Sequence, residues 1–241
     1  MAALGRRALA ELLGTAFLVT AVIGSGIAAS RLSPNDPGLQ LLENSLVTGA
    51  ALVALILALQ PVSAAFNPVV TLVETVLCAI SGRDAMALIA AQFAGGFLGA
   101  VLANLMFGLP TVSIASQARS GAGLWLGEVV ATLGLIVVIF GVVRAGRAGM
   151  VAFAVGGYIT AAYWFTSSTS FANPAVTVAR QFSDSFAGIA PASVPPFIVM
   201  QLVGGGLAYL LLRVLYPDAA TLAADLAGEP RQPASVTEEP S

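Results

Sequence analysis

The sequence predicts an all-α membrane protein with six transmembrane helices and two re-entrant half-helices, arranged as an inverted repeat. Three observations carry this. Charged residues are 9% of the 241 and hydrophobic residues 58%, against about 25% charged in a soluble domain, and the mean hydropathy is +0.92. Several apolar runs reach the roughly 20 residues that cross a bilayer. Two Asn-Pro pairs, Asn67-Pro68 and Asn173-Pro174, stand at matching places in the two halves.

Taken in order, the first span covers 8–29, and a turn rich in Pro, Asn and Gly follows at 30–39. The first span has the length of a retained helix and no cleavage signal, so it does not read as a leader. The second span, 40–60, stops before Pro61. Residues 61–67 are non-helical, and Pro68 opens a short helix to about Cys78. Proline fits the first helical turn, where its missing N–H costs nothing, and the preceding Asn is a natural N-cap. The third span is 85–107, the fourth 123–143 and the fifth 149–166. Ser/Thr-rich 166–170 leads into Asn173-Pro174 and a second short helix to about Phe182. A loop with Pro191, Pro195 and Pro196 precedes the sixth span, 197–216. One membrane domain thus occupies 1–216, and the Pro/Glu-rich segment 217–241 reads as a disordered cytoplasmic tail.

Three landmarks recur in the same order in repeat one (8–107) and repeat two (123–216). Glu11-x-x-Gly14-Thr15 matches Glu128-x-x-Ala131-Thr132. Asn67-Pro68-Val69-Val70-Thr71 matches Asn173-Pro174-Ala175-Val176-Thr177. Gln92-x-x-Gly95-Gly96 matches Gln201-x-x-Gly204-Gly205. Each repeat has three spans, an odd number, so the second half is inverted. Arg6, Arg7, Arg83, Arg144 and Arg147 fall on one side, with Arg213 near it, and Arg31 and Arg119 on the other. The positive-inside rule then makes both termini cytoplasmic.

In this topology the two half-helices start near the midplane and their N-termini meet. Irregular backbone at that depth must be buried in protein or line a wet cavity. The positive helix ends and the amides of Asn67 and Asn173 make a polar gate that disfavours cations and hydrogen-bonds neutral solutes. The absence of histidine removes imidazole metal sites and histidine acid–base chemistry, and the single Cys78 excludes an internal disulfide and reads as a packing residue. With no nucleotide loop, metal cluster or nucleophile–base set, the sequence points to no enzyme, metal, cofactor or nucleic-acid partner.

These paired motifs resemble those of the aquaporin family, the major intrinsic proteins, over about residues 5–216. The resemblance implies a homotetramer with one pore per subunit, lying in a lipid bilayer and passing water, glycerol or other small neutral solutes. Half-helices in this family pack back to back through the equivalents of Pro68 and Pro174. The first motif reads Asn-Pro-Val rather than the usual Asn-Pro-Ala, so Val69 adds bulk where Ala175 stands in the second. The family's outer filter maps by spacing onto Val47, Ala161, Ser170 and Val176. Val176 stands where an arginine is usual, and the filter so read is wide and weakly polar, unless Tyr163, Trp164 or Phe165 refill the space. Bacterial arsenical channels resemble this chain in lacking that arginine. This implies an inner-membrane channel for arsenite as As(OH)3 and for methylated arsenicals, with an ordinary water or glycerol facilitator and an ion-coupled transporter as alternatives.

The family resemblance makes Glu11 and Glu128 supports of the re-entrant loops. Gln92 and Gln201 read as interhelical hydrogen-bonders, and the glycines near them as sites of close helix crossing. Glu74 and Arg180 each lie seven residues beyond their Asn, which is about 10 Å of helix, near opposite mouths. Arg180 is one turn past Val176 and is a candidate for the outer vestibule, with an ion pair to Asp184 as the alternative. Glu74 is paired in this reading with Arg83.

Overall fold

The computed structural model describes residues 2–216, and the tail expected at 217–241 lies outside them. Eight α-helices follow one another: α1 (Leu4–Leu32), α2 (Pro37–Leu59), α3 (Pro68–Val76), α4 (Gly82–Met106), α5 (Ala122–Arg144), α6 (Val151–Phe165), α7 (Pro174–Arg180) and α8 (Val194–Leu215). Six are long and apolar enough to cross a membrane, α6 only together with the 3-10 turn that precedes it (Ala148–Phe165), and no strand occurs among the described residues. The two short helices, α3 and α7, follow Asn67 and Asn173, as the Asn-Pro signals require.

The helix starts differ from the sequence reading where local signals are strong. Helix α2 begins at Pro37 because Asp36 accepts the Leu39 N–H at 2.9 Å and proline occupies the first position. Helix α8 takes Pro195 and Pro196 into its first turn rather than starting after them. Helix α6 is short, and the 3-10 turn Ala148–Met150 brings the chain up to it.

Packing follows the repeat. Helix α1 packs most extensively on α4, and its equivalent α5 packs on α8. Each half-helix also crosses into the other repeat, α7 against α4 and α3 against α8, so the halves interlock around the meeting half-helices. The α1–α4 crossing is close because Gly95 and Gly99 sit on the Leu12 and Ala16 carbonyls. A Cβ at Gly204 would lie 2.6 Å from the Val129 carbonyl oxygen, the same device at the α5–α8 crossing. Val69 fits because it faces Gly205, where a Cβ would strike its Cγ1, whereas the Ala175 carbonyl oxygen lies 3.1 Å from a Cβ built at Gly96. Apolar side chains such as Phe17, Leu46, Phe153 and Leu210 cover the outside of the bundle.

Both ends of the described chain reach one face of the bundle, called here the terminal face. The opposite face carries the α4–α5 loop, which lies across the segment after α7. Ser113 N–H donates to Phe182 O at 3.1 Å, Ala115 N–H to Gln181 O at 2.9 Å, and Ala190 N–H to Gln117 O at 2.8 Å.

Gly95→Val forces a side chain into the Leu12 backbone and is expected to destabilise the protein by about 1–3 kcal/mol. Gly157→Val, at an open position with nothing within 4 Å, is expected to have little effect. Thermal unfolding of both variants in detergent checks the difference.

Candidate pore and its two mouths

The pore wall begins with the N-caps. Asn67 Oδ1 accepts the Val69 N–H at 2.9 Å, and its Nδ2 donates to the Ala172 carbonyl at 2.8 Å. Asn173 Oδ1 accepts the Ala175 and Val176 N–H groups at 3.0 and 3.2 Å, and its Nδ2 donates to the Phe66 carbonyl at 2.7 Å. Each asparagine therefore caps its own helix and braces the opposite loop. A carboxamide nitrogen carries two hydrogens, so one N–H of each remains for the cavity that both residues line.

Each loop reaches its helix through a left-handed residue, Phe66 at φ 48° and Ala172 at φ 48°. A buried carboxylate holds each in place. Glu11 accepts Ala65 N–H at 2.9 Å, Phe66 N–H at 2.7 Å and Ser63 Oγ at 2.6 Å. Glu128 accepts Phe171 N–H at 3.0 Å and Ala172 N–H at 2.9 Å. Gln92 Nε2 donates to Glu11 at 2.8 Å and to Thr71 Oγ1 at 3.0 Å; Gln201 Nε2 donates to Glu128 at 2.6 Å and to Thr177 Oγ1 at 2.8 Å. With the loop amides taken up, the carbonyls of Ser63, Ala64, Ala65, Ser170 and Phe171 accept no hydrogen bond from a described residue. All five residues line the cavity, which gives it a row of acceptors.

The cavity has a volume of about 340 Å³ and runs from Arg7 and Glu74 near the terminal face, past both asparagines, to Arg180. Pro68, Val69, Pro174 and Ala175 are buried behind its wall, whereas Val70 and Val176 form part of it.

Two of the four spacing-derived filter positions are corrected. Val47 is 44% exposed on the outside of α2, and the next residue, Thr48, lines the cavity instead. One residue turns a helix by about 100°, so an error of one moves the side chain off the lumen. Ala161 is likewise exposed, and α6 presents Ile159 and Tyr163 to the cavity, two residues to either side. The Tyr163 hydroxyl and Thr48 Oγ1 are hydrogen-bonded at 3.1 Å. Ser170 and Val176 do line the cavity, and Ser170 Oγ is buried with no partner.

Of the side chains named as able to refill the filter or replace its charge, Tyr163 and Arg180 line the cavity, and Trp164 and Phe165 do not. Phe171 lines it as well, and Arg180 is 2% exposed. The Arg180 guanidinium lies 3.5 Å from the centroid of the Phe171 ring, and its Nε donates to the Ala187 carbonyl. Its terminal nitrogens make no hydrogen bond to a described residue. Arg119 approaches the same ring at 5.1 Å while its Nε donates to Gly188 O at 3.0 Å.

Asp184 does not pair with Arg180. It accepts the Ser116 N–H and Oγ, both at 2.9 Å, and these two bonds hold its carboxyl below the usual range. Glu74 does not pair with Arg83 either; among the described residues Arg7 and Asp84 form an ion pair at this face, at 3.4 Å. Cys78 is exposed at φ 62° after α3, not packed. Thr48 and Phe171 were missed as wall residues; the phase of α2 and the position of Phe171 just after Ser170 were the available signals.

Glu128→Gln replaces one acceptor oxygen with a donor facing the Phe171 and Ala172 amides. Hydrogen bonds to charged groups contribute about 1.5–3 kcal/mol each, so a loss of about 3 kcal/mol is expected. Thermal unfolding and faster amide exchange at Phe171 and Ala172 check it.

The family model described as Major intrinsic protein matches residues 2–167. The chain is 47% identical over 217 residues to the aquaglyceroporin AqpS of Rhizobium meliloti (strain 1021), covering 90% of this chain and 92% of that one. It is 29% identical over 217 residues to the probable aquaporin TIP2-2 of Oryza sativa subsp. japonica, covering 86% of each. In fold it is similar to the X-ray structure of the aquaglyceroporin from Plasmodium falciparum, with a TM-score of 0.67 and 19% identity over 91% of this chain and 100% of that one. The chain belongs to the major intrinsic protein family, a family of membrane channels and not of enzymes.

Proposed function

We propose that the chain is a passive channel for small uncharged solutes: water, glycerol, arsenite as As(OH)3 and methylated arsenicals. The observation that carries this is the meeting of α3 and α7 N-termini, with the Asn67 and Asn173 amides, on one cavity wall. A neutral polyol or hydroxide finds donors there and a row of carbonyl acceptors beside them. A cation meets two positive helix ends and Arg180. Coupled transport is disfavoured because Glu11 and Glu128, the carboxylates at loop depth, are occupied by backbone amides.

Val176 leaves room at the arginine position of the family filter, which supports passage of solutes at least as large as glycerol. Arg180 brings a guanidinium back one turn farther on, between Phe171 and the Ala187 carbonyl. Tyr163 and Phe171 on the wall favour a second reading, an ordinary water and glycerol facilitator with no arsenic role. The relative AqpS is named an aquaglyceroporin, which is consistent with either. In the cell the chain sits in a bacterial inner membrane as a homotetramer, with the terminal face, which carries Arg6, Arg7, Arg83, Arg144 and Arg147, in the cytoplasm.

Flux into proteoliposomes, measured side by side for water, glycerol, arsenite and monomethylarsonous acid, tests the reading. Val176→Arg is expected to slow glycerol and the arsenicals on the order of tenfold, a barrier of about 1.4 kcal/mol, and water less. Equal slowing of all four removes Val176 as a selectivity position, and arsenite flux at the protein-free level leaves the facilitator reading. Arg180→Ala is expected to raise methylammonium permeability relative to glycerol, again on the order of tenfold. An unchanged ratio removes Arg180 from the filter.

A further inference from the structure

Glu74 and Arg180 occupy the same position in the two repeats, seven residues after Asn67 and Asn173. Both side chains belong to the wall of the same cavity, on opposite sides of the asparagine pair. The lumen is therefore bounded by a carboxyl group toward the terminal face and a guanidinium toward the other. From these positions we infer that Glu74 is the anion-rejecting residue of the pore, the counterpart of Arg180; the inference rests on the channel reading above.

The need for such a group follows from the rest of the wall. The N-termini of α3 and α7, the free amide hydrogens of Asn67 and Asn173, and Arg180 are all attractive to negative charge. Set among the Ser170 and Phe171 carbonyls, they place donors and positive ends from the midplane to one mouth, where a small anion finds partners. A carboxylate beyond the midplane closes that route by repulsion and leaves neutral solutes unaffected by net charge.

The local chemistry of the two residues differs in a telling way. Arg180 ends α7, where a cation complements the helix dipole, and it is anchored by the Ala187 carbonyl and the Phe171 ring. Glu74 lies in the last turn of α3, Pro68–Val76, where a carboxylate opposes the dipole. No described residue donates a hydrogen bond to its carboxyl group. Arg7 of α1 lies on the same stretch of the cavity wall and pairs with Asp84 of α4 at 3.4 Å. A residue that conflicts with its own helix and has no hydrogen-bond donor among the described residues is placed for what passes in the lumen.

The test is the ratio of nitrate to glycerol permeability in proteoliposomes of the full-length protein. Wild type is expected to admit glycerol and hold nitrate at the protein-free level. Glu74→Gln is expected to raise the ratio on the order of tenfold, and Glu74→Asp, which keeps the charge, to stay near wild type. Glu74→Leu removes the same charge with a side chain suited to an apolar helix, and serves if the glutamine variant does not reconstitute. A ratio unchanged in a charge-removed variant that conducts glycerol, or a ratio raised equally by Glu74→Asp, overturns the inference. Absence of glycerol flux in wild type overturns the channel reading instead, so the two failures are distinct.

Discussion

Each re-entrant loop turns through a backbone conformation that side-chain-bearing residues avoid, at a cost of about 1–3 kcal/mol per residue, and a buried carboxylate holds it there. Glu11 and Glu128 are fully buried, a costly state unless their oxygens are fully used. The loops use them, because their amides at Ala65, Phe66, Phe171 and Ala172 have no partner in a helix or sheet. The small residue one turn along belongs to the same device. Gly14 admits the Phe66 ring, since a Cβ there would collide with it. In the second repeat the corresponding loop residue is Ala172, with no ring, and Ala131 takes the place of the glycine. The two Glu-x-x-small motifs differ by what each loop must fit.

The character of the lumen follows from that bracing. Once the loop amides are directed at carboxylates, carbonyls are left for the cavity, and the asparagines add donors at the midplane. Charge enters only at the two ends. Val176 stands three residues past the second asparagine, and the guanidinium on this part of the wall comes from Arg180, at the seventh. The two positions are one helical turn apart on the same face, and Phe171 and the Ala187 carbonyl receive the longer side chain. The α4–α5 loop covers this end: the Arg119 guanidinium lies 5.1 Å from the Phe171 ring centroid while its Nε donates to Gly188 O, so a surface loop contacts the ring against which Arg180 lies.

The parts legible in the sequence were those written in local chemistry. Asn-Pro specifies an N-cap and a first turn, and both half-helices begin where it stands. The repeat was legible because Glu, Asn and Gln recur among apolar residues, where chance matches are few. The lumen wall was less legible. A position on α2 or α6 is fixed by helix phase accumulated from a distant landmark, and a shift of one residue exchanged Thr48 for Val47. Ala161 failed in the same way, because the loop between α6 and Asn173 is irregular and does not preserve phase. The partner of Asp184 was hidden for a different reason. It lies in sequence-distant Ser116, and only the crossing of two surface loops brings them together.

The contact between Val69 and Gly205 ties two distant positions into one inherited unit. The valine occupies the space that any side chain at 205 would need, while the opposite junction keeps Ala175 beside Gly96. A lineage that changed Val69 to alanine would open a gap at the centre of the bundle, and one that first placed alanine at 205 would meet a steric barrier. Passage between the two arrangements favours the order in which the larger residue shrinks before the glycine grows. Homologous chains should therefore show these two sites varying together, with volume at one exchanged for volume at the other, although they lie in different halves of the molecule.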